Sequence, residues 1–248
     1  MALTFDSLGK MGRLGNQMFQ YAALRGISTN LGYDFMIPSN NELCEVFGIK
    51  AKFGCSGNHK VTHNKFNFDE ILFSSCLDNV DLTGYFQSEK YFKQIENQIK
   101  KEYSFSNKIY TICSHFIKTN FTSDIISLHV RRGDYLTESN FVNLDLNYYN
   151  TALRLLPSFN VLIFSDDISW CKSNFFGEEF YFIESKNKEI DLCLMTMCNY
   201  HIIANSSFSW WGSWLSKSKK TIAPSRWFQN EYSSWNTEDL YLPDWIVI

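Results

Sequence analysis

The sequence predicts an α/β protein built on doubly wound parallel sheets, and three observations carry that expectation. From residue 125 onward, short apolar runs rich in β-formers alternate with helical stretches at the spacing of βα units. The chain also opens on a strand-like run that enters a glycine-rich loop and then an amphipathic helix. With 248 residues, 45% of them apolar, there is enough chain for two small domains, each with a core of its own.

Residues 2–8 read as the first strand. The loop Gly9-Lys-Met-Gly-Arg-Leu-Gly-Asn16 follows, then a helix over 17–31 on which Met18, Tyr21, Ala22 and Arg25 share a face. A second strand, 34–37, stops at Pro38. Residues 39–65 are polar and carry no readable element, whereas 88–103 is helical. The polar run 104–107 precedes the second sheet, and the boundary is expected near 114–123, giving domains 1–118 and 119–248.

In the second half the expected order is a strand 125–130, a helix 148–156 ended by Pro157, a strand 161–165 closed by Asp166-Asp167, and a helix 168–175. A strand 180–184, a helix 188–198, a strand 201–204, a helix 206–215 and a strand 221–223 complete it. A sheet of this kind binds its ligand beyond the carboxyl ends of its strands. The aromatic segment with Trp227, Phe228, Tyr232 and Trp235 is read as a crossing back, so that roughly the last 20 residues pack on the first domain.

A net charge of -3 and a pI near 6.0 argue against nucleic acid as the main partner, which demands a basic face. Aromatic residues make up 17% of the chain; most fill cores, and part of the excess is available to line a sugar site. The seven cysteines are odd in number and include no C-x-x-C pair, which favours reduced thiols and a cytoplasmic location over disulfides or zinc. The start of the chain does not read as a signal peptide. No apolar run approaches the ~18–20 residues that span a bilayer, although peripheral membrane contact through the aromatic patch stays open.

Four constellations can carry chemistry. The segment Ile126-Ser-Leu-His-Val-Arg-Arg-Gly-Asp-Tyr135 puts two arginines on the end of a buried strand, which points to a phosphate-bearing ligand. Alternation sends His129 and Arg131 to one side and Arg132 to the other, so Arg131 is the candidate for the anion and Arg132 for an ion pair that holds the turn. The plain alternative pairs both with Asp134 and Glu138 at a sheet edge. In the glycine loop, Gly9, Gly12, Gly15 and Asn16 let backbone approach a ligand beside a helix N-terminus, or merely relieve crowding. In Ala204-Asn-Ser-Ser-Phe-Ser-Trp-Trp-Gly-Ser-Trp214, Asn205 is expected to cap a helix, with Ser206 and Ser207 as a second anion cradle and the tryptophans as core. Finally come the acids Asp166, Asp167 and Asp191. The chain has no D-x-D triplet, which counts against a metal-dependent sugar-nucleotide site, and Asp191 is either a partner for a base or ribose or a helix-surface acid.

Five motifs appear in order: Gly12-Arg-Leu-Gly-Asn-Gln-Met-Phe-Gln-Tyr-Ala22, Gly84-Tyr-Phe-Gln-Ser-Glu-Lys-Tyr-Phe92, His129-Val-Arg-Arg-Gly-Asp-Tyr135, Phe164-Ser-Asp-Asp167 and Asn205-Ser-Ser-Phe-Ser-Trp-Trp-Gly212. Together they resemble the soluble microbial α-1,2-fucosyltransferases of glycosyltransferase family 11, over essentially the whole chain. The resemblance implies a GT-B-like fold of two Rossmann-like domains facing a cleft, the first mainly on the acceptor side and the second binding the nucleotide. It implies GDP-β-L-fucose as donor, a galactose-containing glycan as acceptor, and inversion, with neither metal nor cofactor. By residue, Arg131 matches the arginine on the donor's diphosphate with Arg132 in support; His129 and Asp191 match guanine contacts; Gly15, Asn16 and Ser207 match positions near the diphosphate. Asn205 and Ser206 belong to the same donor cradle, and the spacing Gly9-Lys-Met-Gly-Arg departs from the more compact glycine pair of many members. Asp134 is the candidate general base, with Glu138 and His129 as rivals. A sugar-binding module of the same fold that has lost catalysis is the alternative.

Overall fold

The computed structural model describes residues 1–55, 59–157 and 160–248. The chain forms two compact units, Met1–Ser104 with Trp235–Leu242, and Phe105–Ser234 with Pro243–Ile248.

In the first unit the chain runs β1 (Ala2–Thr4), α1 (Leu14–Leu31), β2 (Asp34–Ile37), α2 (Glu42–Phe47), β3 (Lys52–Phe53), β4 (His59–His63), α3 (Glu70–Ser75), β5 (Val80–Gly84) and α4 (Glu96–Glu102). The strands make one parallel sheet in the order β3-β2-β1-β5-β4. Helix α1 is buried along most of its length, with Met18, Phe19, Ala22, Ala23, Leu24 and Ile27 in the core. Gly26 is needed where α1 meets the chain at Tyr91, because a Cβ there would overlap the Tyr91 carbonyl. The helix starts at Leu14 rather than at 17, so Gly15 and Asn16 belong to its first turn and not to the loop. Residues 39–65 hold structure that their sequence conceals: Asn41 caps α2 by accepting from the Cys44 N–H at 3.0 Å, and β3 and β4 follow. Residues 56–58, inside that stretch, lie outside the described residues.

The second unit comprises α5 (Asn107–Asn120), β6 (Ile125–Val130), α6 (Leu146–Arg154), β7 (Asn160–Ser165), α7 (Ile168–Asn174), β8 (Phe180–Phe182), α8 (Lys188–Thr196), β9 (Tyr200–Ile202), α9 (Ser207–Leu215), β10 (Lys220–Ala223) and β11 (Ile246–Val247). All six strands are parallel, in the order β11-β10-β9-β6-β7-β8. The chain steps outward from β6 to β8 on one side, then returns past β6 to build β9, β10 and β11 on the other. That reversal puts the topological switch point between β6 and β9, where such sheets hold their ligand. Every residue of β6 is buried, as a central strand covered on both faces requires. Ile126, Leu128 and Val130 pack with Tyr149 and Ala152 of α6 and Cys171 of α7 on one face. Ile125 packs with Ile109 and Cys113 of α5 and Cys193, Leu194 and Met195 of α8 on the other.

Two boundaries move. The first unit ends at Ser104 rather than at 118, because α5 buries Ile109 and Cys113 in the second unit's core. Of the closing residues only Trp235–Leu242 belong to the first unit; 243–248 rejoin the second, where β11 pairs with β10. Among the described residues no helix is long and apolar enough to cross a membrane.

Candidate active site

Strand β6 delivers Arg131 and Arg132 to the switch point, and acids from two loops receive them. Arg131 places Nη2 2.5 Å from Asp134 Oδ1 and Nη1 2.7 Å from Asp166 Oδ2, with Cζ 5.2 Å from the centre of the Tyr135 ring. Arg132 places Nε 3.3 Å from Asp167 Oδ2 and stacks over Trp170 at 4.3 Å. Asp166 also accepts from the Arg132 backbone N–H at 2.9 Å, so one carboxylate fixes both the turn and the Arg131 guanidinium. Gly133 permits this approach, because a Cβ there would lie 2.5 Å from Asp166 Oδ2. Both arginines are thus ion-paired, Arg131 to two acids and Arg132 to one, instead of Arg132 alone holding the turn. Two guanidinium groups face three carboxylates, so the cluster is net negative until a proton or a displaced acid changes the balance.

His129, two residues before Arg131, is buried and pulled down to about 4, first by loss of solvation and then by the Arg131 charge, with Asp166 opposing. Its ring is neutral at neutral pH, and Nδ1 finds no hydrogen-bond partner among the described residues. Its ring centre lies 6.0 Å from that of Phe208, in the first turn of α9.

The carboxyl end of β9 completes the arrangement, with one correction. Ser206, not Asn205, caps α9, its Oγ accepting from the Phe208 N–H at 3.3 Å. Asn205 is fully buried and works as a scaffold: its Nδ2 donates to the carbonyls of Val142 and Trp227, both at 2.9 Å. The Tyr135 hydroxyl donates to the Asn205 carbonyl at 3.0 Å and so ties the arginine loop to the α9 entrance. Ser207 opens the first turn of α9 beside that cap. The structure therefore brings together Arg131, Arg132, Asp134, Asn205 and, through Asn205, Ser206 and Ser207. Asp191 is engaged elsewhere: the Ser185 hydroxyl donates to its Oδ1 at 2.5 Å, and burial pushes its carboxyl up. Glu138 is exposed.

Gly15 and Asn16 stand in the first unit, in the opening turn of α1. Asn16 Oδ1 accepts from Gln87 Nε2 at 2.8 Å, and Gly12, at φ +83, lies so close to the Asn16 side chain that a Cβ would overlap it. Two of the five sequence motifs, the glycine loop and the segment 84–92, are thus parts of one corner.

The family described as Glycosyl transferase family 11 matches residues 4–248. The chain belongs to that family. It is 32% identical to an α-1,2-colitosyltransferase of Escherichia coli over 89% of this chain and 91% of that protein. It is 23% identical to the galactoside α-(1,2)-fucosyltransferase 2 of Oryctolagus cuniculus, over 98% and 76% respectively. Among solved structures, POFUT1 in complex with GDP-fucose superposes with a TM-score of 0.57 at 11% identity, covering 90% of this chain and 97% of that one. The fucosyltransferase NodZ from Bradyrhizobium gives 0.56 at 13%, covering 87% and 93%. The fold of this family 11 glycosyltransferase is accordingly GT-B-like, with two parallel α/β units.

Sequence reasoning passed over several residues of these corners. Gln20 Nε2 donates to the carbonyls of Met11 (3.0 Å) and Gly84 (3.2 Å), and Gln17 Nε2 to Glu42 Oε1 (2.9 Å). Both are buried, and polar side chains at core positions are the signal that could have found them. Tyr135 follows Asp134 directly and Trp170 lies three residues past Asp167, but nothing local reveals which ring an arginine will cover.

Proposed function

We propose that this family 11 glycosyltransferase moves L-fucose from GDP-β-L-fucose to O2 of a terminal galactoside, with inversion to an α-1,2 linkage and no need of a metal ion. The observation that carries the reading is Arg131 at the carboxyl end of the central strand, at the switch point, tied through Tyr135 to the start of the nine-residue helix α9. A guanidinium and a helix N-terminus are both well suited to hold a diphosphate. Of the two acids on Arg131, Asp134 is the more exposed, 39% against 26%, and sits on a single 3-10 turn. The incoming diphosphate displaces Asp134 while Asp166 keeps the guanidinium aimed. The freed Asp134 carboxylate is then available to take the proton of the acceptor hydroxyl.

In that step the acceptor oxygen bonds to C1 on the face opposite the diphosphate, the C1–O bond to the β-phosphate breaks, and its electron pair leaves with GDP. Negative charge grows on the leaving group, and donors already fixed on that charge lower the barrier. Neutral His129 and Asp191 are the candidates for base contacts, and Gly15 and Asn16 for the donor's phosphates. Both curated relatives carry α-1,2 in their names, and one neighbouring structure holds GDP-fucose, which supports linkage and donor. The 32% identity to a colitosyltransferase favours a second reading in which the transferred sugar is colitosyl.

Incubation with GDP-fucose and a panel of β-galactosides, with and without EDTA, followed by NMR of the product, tests the proposal. An α-1,2-fucosyl product formed equally in EDTA is expected. GDP release only from a colitosyl donor would establish the second reading, and binding without GDP release from either donor would make the protein a binding module.

A further inference from the structure

At the carboxyl ends of β4 and β5 the first unit has a cavity of about 210 Å3, lined among others by Met11, His63, Thr83, Tyr85, Phe66 and Trp235. Three features set it apart from a packing gap. The rings of Tyr85, Phe66 and Trp235 form a near-parallel pile, with centroids 6.0 Å and 5.0 Å apart and interplanar angles of 16° and 29°. The chain turns at Phe86 with φ +52, a conformation costly for an aromatic residue, and the Phe86 ring stacks on His63 at 5.0 Å. The Thr83 hydroxyl is buried in the wall with no hydrogen-bond partner among the described residues.

Trp235 comes from the segment Trp235–Leu242, which belongs to this unit although the chain on either side of it belongs to the other. Asp239 fastens the segment, accepting from the Phe68 N–H and from Lys90 Nζ, both at 2.6 Å. The wall beneath is neutral: Tyr91 OH accepts from the Asp69 N–H at 2.9 Å and shares a hydrogen bond with His63 Nε2 at 3.2 Å, while burial holds the His63 ring below its ordinary pKa. The rim carries exposed Asn64 and Lys65.

We propose that this pocket binds one pyranose ring of the acceptor glycan, stacked on the aromatic pile with its hydroxyls on the Asn64 and Lys65 rim. The inference rests on the glycosyl-transfer reading and adds to it the residues that hold the acceptor. A volume of about 210 Å3 lies below the ~300–1,000 Å3 of sites for drug-sized ligands and suits a single ring. A flat apolar face with a polar rim matches a sugar, whose C–H faces are apolar and whose edge is hydroxyl. A neutral wall suits an uncharged sugar, with Lys65 on the rim as the one cation among the lining residues.

Two readouts on the full chain test this: saturation-transfer NMR with methyl β-D-galactopyranoside, and the KM for that galactoside in transfer. Trp235→Ala should lose the NMR signal and raise KM about tenfold, with a smaller change in kcat. Trp235→Phe, which keeps a ring, should restore most of both. Asp239 acts as a positioning residue, so Asp239→Asn should raise KM by a smaller factor that Trp235→Phe does not share; circular dichroism confirms that each variant is folded. Signal in the wild type and its loss in Trp235→Ala support the pocket even where transfer fails, a failure that would count against the reaction alone. Unchanged signal and KM in a folded Trp235→Ala overturn the pocket, even where transfer proceeds.

Discussion

At the carboxyl end of the second sheet, Arg131 and Arg132 are held by Asp134, Asp166 and Asp167. At the carboxyl end of the first, the chain presents Tyr85, Phe66 and Trp235, with Gln20 bracing the loops at Met11 and Gly84. The two places are equivalent in topology, each lying where parallel strands end and loops begin. One gathers ionised groups whose charges nearly cancel; the other gathers neutral rings and amides. The contrast teaches that the shared α/β frame supplies position only, and that the side chains leaving the strands decide whether an anion or an uncharged ring is held there.

The largest expected effect breaks the charged end. Arg131→Ala should lower transfer by about 10²-fold or more, read as kcat with GDP-fucose, because one fixed donor on the leaving charge is lost. The aromatic end should respond more weakly and in KM, as the Trp235 variants test. Asp134→Asn sharpens the comparison by separating two roles. GDP should bind roughly three- to tenfold tighter, as one competing carboxylate is removed, while transfer slows through loss of the proton acceptor. Calorimetric titration beside turnover reads the two directions, and weaker GDP binding would count against displacement of Asp134.

The smallest contrast is in pH. His129, at about 4 in the folded chain against an ordinary 6.5, contributes stability that is present above pH 6.5 and is lost as pH falls toward 4, on the order of 3 kcal/mol for this group. Buried His201, pulled down to about 3, acts in the same direction. Unfolding by urea at pH 7 and at pH 4.5 should therefore show stability falling with acid, and His129→Asn should flatten that fall.

The second sheet was far more legible in the sequence than the first, and the reason is physical. Its central strands β6 and β7 are largely buried, so runs such as Ile125–Val130 stand out as mostly apolar segments flanked by helices. In the first unit, β4 reads His-Lys-Val-Thr-His and is mostly exposed or half-buried, and β3 is two exposed residues, so neither stands out from loop. Helix α5 was hidden differently. Ile109 and Cys113 are its only buried side chains, and its start follows a polar run that imitates a linker. At the site, Arg131 and the α9 entrance could be found because glycine, serine and paired arginines at strand ends are local signals. The pairing of Arg131 with Asp166, 35 positions away, and the return of Trp235 to Phe66 are long-range events that no local pattern encodes.

Hydrogen exchange with and without GDP tests most directly the claim that the charged end holds the nucleotide. The account predicts slowed exchange of amides in 129–136 and 204–209 on adding GDP, with 62–66 and Tyr85 unchanged until a galactoside is added. Protection by GDP at 62–66 and Tyr85, with 129–136 and 204–209 unaffected, would contradict it.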